Sequence, residues 1–431
     1  MLKDVAEFME FLQTGLTPYH VVKNVCSMLT REGFIALSEG DSWELEPNTG
    51  YYVTRNGSSI VAFKTGELNV RRGFNIVASH TDSPCLKIKN NALTATAAYQ
   101  RLNVETYGGA LYYTMLDRPL RIAGRVIERD GDRLRAVNVQ SDFLVTIPSV
   151  AIHQNREAND GLKLNPQVDL LPLIGMGDGE DVVGTITHEK DVVDYDLFVV
   201  PDTEPYTYGA KDEFLAAPRL DDLTGVFGGM KALIKSNCST ISVCACFDNE
   251  EVGSGTKQGA GSTLLKDVLN GIICAVAEPD DAGEELSRNA VANSFLVSMD
   301  NAHALHPNHP EKCDPTNRCL INKGIVIKHH ANQAYLTDGM SSAVLKNILD
   351  KANVPYQDFF NRSDARSGST LGTISNRQVS LHTVDIGLAQ LAMHSFCETM
   401  GTDDLAVLVD GLKAFYQTDL RFFGDEVVFE G

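Results

Sequence analysis

This 431-residue sequence has no CxxC pair, no run of lysines and arginines, no internal repeat and no stretch of about 18 apolar residues free of charge. Each absence removes a class of protein. The nine cysteines are odd in number and scattered, which argues against a disulfide framework and against a zinc site built from cysteine. Cys244 and Cys246 alternate within "ISVCACFD" as small core residues do, so free, buried thiols in a reducing compartment are expected. Acids outnumber bases, 57 against 37, for a net charge of −20. No basic stripe could neutralise phosphates, so no nucleic-acid partner is expected. The opening "MLKDVAEFMEFL" carries acids inside its apolar stretch and lacks the long apolar region of an export signal. The expectation is a cytoplasmic protein with no membrane partner.

What is present reads as a folded chain of ordinary texture, 43% hydrophobic and 22% charged. Its length exceeds a usual core of about 100 to 200 residues, so two domains, or one domain with an insertion, are expected. The first 90 residues open with an amphipathic helix. A second helix follows in "LTPYHVVKNVCSMLTREGF", where Thr17 can cap, Pro18 suits the first turn and Gly33 can close it. "YYVTRNGSSIVAFK" reads as a hairpin about Asn56-Gly57, and "FNIVASHTDSP" as a strand. Between 91 and 205 the signals are β, with little helical periodicity: "RLNVETY", "ALYYTML", a hairpin about Asp130-Gly131, "FLVTIP" and "YDLFVVP". From 206 to 431 helix and strand alternate again. Leu223, Val226, Phe227, Met230, Leu233 and Ile234 share one helical face. "ISVCACFD" and "GIICAVA" read as strands buried on both sides, and "TDDLAVLVDGLKAFYQ" as a closing helix. The fold class expected is α/β, a three-layer α/β/α domain formed by 1–90 and 206–431 and interrupted by a β-rich domain at 91–205.

Open α/β sheets bind ligands beyond the carboxyl ends of their strands, so polar residues that directly follow apolar runs are the ones to collect. They are His80 and Asp82, Asp221 and Asp222, Glu250 and Glu251, Asp300, and His394. A lone strand-end aspartate is more often a helix cap, and Asp222 is read as one. The isolated histidines His20 and His188 are read as structural. Together the rest form an N/O ligand set without sulfur, suited to zinc or a similar divalent ion. One imidazole and one terminal carboxylate per ion, with a further carboxylate shared, would hold two ions about 3.5 to 4 Å apart. Adjacent Glu250 and Glu251 are tolerable beside two dications. One would ligate and the other would accept a proton from water, and spacing alone does not say which. Asp82 either accepts from the second ring nitrogen of His80 or is a turn residue before Pro84.

At these residues the sequence resembles the aspartyl aminopeptidase family, two-metal exopeptidases, in "LTPYHVV", "YYVTRNGSSIVAF", "ASHTDSPCLKIK", "IPSVAIHQNR", "APRLDDL", "FDNEEVGSGTKQGA", "MDNAHALHPNHPEK", "NKGIVIK" and "LAQLAMHS". The resemblance runs nearly end to end. It implies that His80 and His394 are the imidazole ligands, Asp221 the shared carboxylate, and Glu251 and Asp300 the terminal ones. Glu250 becomes the general base, with Asp82 beside His80 as a further catalytic residue. Two divalent ions per subunit are implied, zinc first, with cobalt or manganese also suited to such ligands. The resemblance makes 91–205 a dimerisation domain and assembles dimers into a tetrahedral dodecamer. There His153 would reach a neighbouring subunit's site, although by itself it reads as a surface residue of a β loop.

The implied reaction removes an N-terminal Asp or Glu from short peptides with a free amine. Lys328 is either the cation that meets the acidic side chain or a surface lysine at a strand end. Of His303, His306 and His309, spaced by three, Pro307 and Pro310 argue against one helix, and the resemblance brings only His303 to substrate. His382 is expected to be structural. Competing readings keep the fold but change the cut, to a neutral aminopeptidase, carboxypeptidase or deacylase, or treat the metals as braces of a non-catalytic shell.

Overall fold

The computed structural model describes residues 2–177, 182–187, 191–278, 283–365 and 368–430. His188 lies outside the described residues. A nine-stranded sheet runs in the spatial order Ile35–Leu37, Gly50–Arg55, Ser59–Lys64, Ile241–Phe247, Phe74–His80, Phe295–Met299, His382–Gly387, Ile325–His329 and Tyr356–Phe360. The four strands from Ile241–Phe247 to His382–Gly387 are mutually parallel. Ile241–Phe247 and Phe295–Met299 are apolar but for one serine each, as burial on both faces favours. On Phe74–His80, Val77 joins the helices Leu2–Thr14, Pro18–Arg31, Leu220–Lys235, Gly339–Ala352 and Asp404–Tyr416, while Ile76 and Ala78 join the helix Leu264–Val276 on the other side. This alternation builds the three layers. The expected helical face of "DDLTGVFGGMKALIKS" is the buried one, and Cys244 and Cys246 are free thiols of the core.

A second sheet is six-stranded and antiparallel, in the order Arg133–Val145, Leu120–Asp130, Val192–Pro201, Cys85–Thr96, Tyr99–Tyr107 and Leu173–Met176. It has its own core, including Leu86, Leu102, Ile122 and Leu197. The sheet starts at Cys85, so a boundary after residue 90 cuts through one strand. A smaller five-stranded sheet contains Ala389–Leu391 and Glu398–Gly401, whose connection carries His394. Among the described residues no helix is long and apolar enough to cross a membrane.

Two expected strands are not strands. "GIICAVA" is the last half of the helix Leu264–Val276, because Leu265, Leu269, Ile272 and Ile273 continue a buried helical stripe begun upstream. A short apolar run is compatible with either period until that stripe is followed. In "ALYYTML", Tyr112–Met115 is a turn of 3₁₀ helix, closed by Thr114 N–H and hydroxyl donating to Leu111 O.

The strand that delivers His80 depends on a tight entry. Gly73 has φ +81°, and a Cβ there would fall 2.2 Å from Asn293 O. Gly73→Ala is expected to destabilise the protein by about 1 to 3 kcal/mol, seen as a lower urea midpoint with an unchanged m-value.

Candidate metal centre

His80 is the last residue of its strand, Asp300 directly follows Phe295–Met299, and Glu250 and Glu251 form a 3₁₀ turn just after Ile241–Phe247. Parallel strands therefore bring four polar residues to one edge, where carboxyl-end loops converge. Asp221 enters from the first turn of Leu220–Lys235, with a cis peptide to Asp222, and His394 from its loop at φ 64°.

The six side chains meet in a cleft of about 120 Å³. His80, Asp221 and Asp300 have potential ligand atoms within 4.8 Å of one another, as do Asp221, Glu251 and His394. Asp221 belongs to both groups and faces each with a different oxygen. His80 Nε2 is 3.5 Å from Oδ1, and His394 Nε2 is 3.3 Å from Oδ2 and 3.2 Å from Glu251 Oε1. Each ring is oriented by its other nitrogen: His80 Nδ1 is 3.0 Å from Asp82 O and His394 Nδ1 is 3.0 Å from Gly109 O. A carbonyl can only accept, so both Nδ1 atoms carry protons, which leaves each Nε2 as the nitrogen that can ligate a cation at the centre.

The residues fit divalent cations. Asp221 Oδ1 and Glu251 Oε1 are sealed from solvent yet take no hydrogen bond. Buried carboxylate oxygens left this way are unfavourable unless a cation satisfies them. Burial and neighbouring acids push Asp300 up to about 6, against the pull of Lys328. Burial would lower His394, but the carboxylates of Asp221 and Glu251 outweigh it and raise the ring to about 11.

Asp82 does more than orient its neighbour. Its backbone carbonyl, rather than its carboxylate, is the closer partner of His80 Nδ1, with Oδ1 at 3.5 Å. The carboxylate instead accepts from Glu250 N (3.0 Å), Glu251 N (3.1 Å) and the Tyr107 hydroxyl (2.8 Å). It thus holds both glutamates by their backbone. Asp222, expected as a cap, accepts from Gly225 N and His80 N. Lys328 is no surface lysine: it is 2% exposed, donates to Asp300 O at 2.8 Å and lies over the Tyr335 ring. His303 lines the cleft at its exposed rim, whereas His153 is exposed in a turn and does not line it. His306 and His309 also stay outside, and His382 stacks on Phe422.

Glu398 escaped the sequence reading. Its only signal is an acid four residues after His394. Buried, it accepts from Asp221 N at 3.0 Å and His394 N at 2.6 Å, so it ties together two residues of the centre. Glu398→Gln would turn an amide NH₂ toward one of these N–H groups. Zinc affinity is expected to fall about 10- to 100-fold, measured by competition with a chelating dye, with the circular dichroism spectrum unchanged.

Carboxylates and imidazoles gathered around one shared aspartate at the carboxyl edge of a three-layer α/β sheet define a metal-dependent hydrolase. The chain belongs to the aminopeptidase I zinc metalloprotease (M18) family, whose model matches residues 11–416. It is 41% identical to a probable M18 family aminopeptidase 2 of Clostridium novyi, over 96% of this chain and 99% of that one. It is 36% identical to an aspartyl aminopeptidase of Dictyostelium discoideum, over 96% of each. Among solved structures, a chain of the Ape4 and Nbr1 complex superposes with a TM-score of 0.92 at 35% identity, covering 96% of this chain and 85% of that one. A chain of the S. cerevisiae mApe1 dodecamer superposes with 0.83 at 27%, covering 96% of each. The chain is a metal-dependent aminopeptidase.

Proposed function

We propose that this aminopeptidase holds two zinc ions and removes N-terminal Asp or Glu from short peptides. The observation that carries the two-ion reading is the division of Asp221 between two ligand groups, one per oxygen. His80 and Asp300 would hold one ion, His394 and Glu251 the other, and Asp221 both. Cobalt or manganese would suit the same ligands. When bound, such ions supply Lewis acidity toward the peptide carbonyl and favour ionisation of water. Glu250, in neither group, is the general base: its carboxylate takes the proton of the attacking water and returns it to the leaving amine. Asp82 fixes where that carboxylate stands by holding the Glu250 N–H. Lys328, with His303 at the rim, forms the pocket for the peptide's first side chain.

The acidic preference is supported by the buried ammonium of Lys328 at the cleft, which donates to Asp300 O and Asn301 O and lies 3.5 Å from Asp300 Oδ2, a carboxylate that a bound cation would draw away and so leave an N–H for a substrate carboxylate, and by the name of the Dictyostelium relative. Lys328→Ala is expected to lower the ratio of kcat/KM on Asp- over Leu-substrates about 10- to 100-fold, the range of one charge-assisted hydrogen bond. Equal losses on both substrates would remove Lys328 as the selectivity residue. A carboxypeptidase or deacylase would cleave N-acetylated peptides, which an aminopeptidase leaves intact. Zinc analysis together with that peptide panel tests the whole reading.

We further infer that the region of the six-stranded sheet, from Cys85 to Pro201, is a dimerisation domain and that the protein forms a tetrahedral dodecamer, as the mApe1 dodecamer suggests. Exposed apolar residues of that region, Leu134, Leu144, Ile152, Val168 and Met176, support an interface. His153, in the same region, would reach a neighbouring subunit's cleft. Sedimentation of the intact protein tests the assembly.

A further inference from the structure

The metal cleft leaves a larger hollow unexplained. It measures about 420 Å³ and lies on the other face of the loop that carries Glu250 and Glu251. Asn249, Thr256 and Gln258 line it from that loop, the six-stranded sheet closes its other side, and the helix Pro18–Arg31 starts on its wall. Its charge is opposite to that of the molecule: four cations, Lys87, Arg125, Arg219 and Lys257, against Asp196 and Asp248, in a chain of net charge −20. Asp196 is shared, with Lys87 Nζ and Arg125 Nε each 3.0 Å away, so it compensates only one of them.

Arg219 is the most deeply buried of the four cations. It is 8% exposed, donates to Leu12 O at 2.8 Å and Pro201 O at 3.4 Å, and its Nε bonds nothing. Among the described residues Arg219 forms no ion pair, and the carboxylates of Glu398 and Asp202 act on it only from farther away. A buried cation left this way is costly until an anion arrives. The helix adds to the same field. The Thr17 hydroxyl meets His20 Nδ1 at 2.8 Å instead of capping an N–H, so the positive end of the helix dipole borders the hollow. Leu16, Phe198 and Val200 line it as well, which suits an organic body rather than a bare ion.

We propose that this hollow binds a small organic anion carrying two acidic groups, and that its occupant acts on turnover through Asn249. Asn249 Oδ1 accepts from Thr256 Oγ1 at 2.7 Å and Gln258 Nε2 at 2.9 Å, and its Nδ2 donates to Tyr107 Oη at 2.8 Å. Tyr107 in turn donates to the Asp82 carboxylate that holds the Glu250 and Glu251 N–H groups. An anion touching this face of the loop is therefore a short hydrogen-bond chain from the general base, without entering the metal cleft.

The test uses zinc-loaded protein with succinate and with inorganic phosphate as probes, read by calorimetric titration and by steady-state kinetics on one peptide substrate. Saturable succinate binding is expected, altering kcat at least about twofold without competing with substrate. Phosphate acting equally well would place the recognition in the charge alone, overturning the organic-anion part. Lys87→Gln and Lys257→Gln, at the mouth of the hollow, are expected to keep basal activity and weaken succinate about 10-fold, or about 1.4 kcal/mol each. Arg219→Gln is expected to abolish binding and Arg219→Lys to restore part of it, and the two mouth variants decide if the Arg219 changes fail to fold. Purely competitive inhibition with the same affinity in the mouth variants would place the anion on the metals and overturn the proposal, as would no binding at all.

Discussion

Glu250→Gln is expected to lower kcat about 100- to 10,000-fold, the span of one lost general base, with bound zinc and KM near the parental values. Glu250 stands in neither ligand group, and its position is set by its backbone N–H on Asp82 Oδ1 at 3.0 Å, which glutamine keeps. Only the ability to accept a proton is removed. Without cations nearby, burial pushes the Glu250 carboxyl up to about 8. His80 opposes this, and Asp300, Glu251 and Asp82 add to it. Bound dications would act in the opposite sense and keep the carboxylate ionised, as the proposed general base requires. The same change at Glu251, which lies 3.2 Å from His394, is expected to remove metal as well as activity. Steady-state kinetics beside zinc content separates the two. A Glu250→Gln enzyme with the parental rate would end the assignment of the base.

Removing the metal is expected to reverse the usual benefit of raising the pH from about 5 to 8. In the metal-free centre Glu250 and Glu398 lie at about 8 and Asp300 at about 6, each raised first by burial from ordinary values of 4.5 and 3.8. A carboxyl whose folded value is raised gives full stability below its unfolded value and loses it as the pH climbs through the folded one. His80 and His394, raised by their carboxylate neighbours against burial, follow the same sign. Asp221 is held below its usual value, and what it contributes is lost only in strong acid. Zinc-loaded protein, with its carboxylates neutralised, should show a much flatter dependence. The melting temperatures of chelated and zinc-loaded protein are therefore expected to diverge by at least about 5 °C between pH 5 and 8, a shift of about 4 to 5 kcal/mol for a chain of this size. Parallel curves would mean that these carboxylates do not face the metals.

Parts of the fold were legible because the sequence records burial directly. Strands covered on both sides read as largely apolar runs, as in Phe74–His80 and Ile241–Phe247, and the amphipathic face of Leu220–Lys235 repeats every three to four residues. "GIICAVA" misled because a short apolar run satisfies either period. The tyrosines of "ALYYTML" favour a strand locally, but the closing hydrogen bonds of Thr114 to Leu111 O win.

Strand ends marked where polar residues could gather, and the chemistry of imidazole and carboxylate indicated what such a gathering could hold. That much the sequence determined by itself, because residue type and the edge of an apolar run are local properties. Tertiary structure alone decided that Asp221 is divided between two groups, that Asp82 grips two glutamates by their N–H groups, and that Glu398 links Asp221 to His394. It also decided that Lys328 is buried against Asp300, and that four cations surround a hollow in an acidic molecule. These relations join residues as distant along the chain as Asp221 and Glu398, 177 positions apart, and others more distant still. Partners so distant are chosen by how sheets and helices pack, and no local pattern along the chain encodes them.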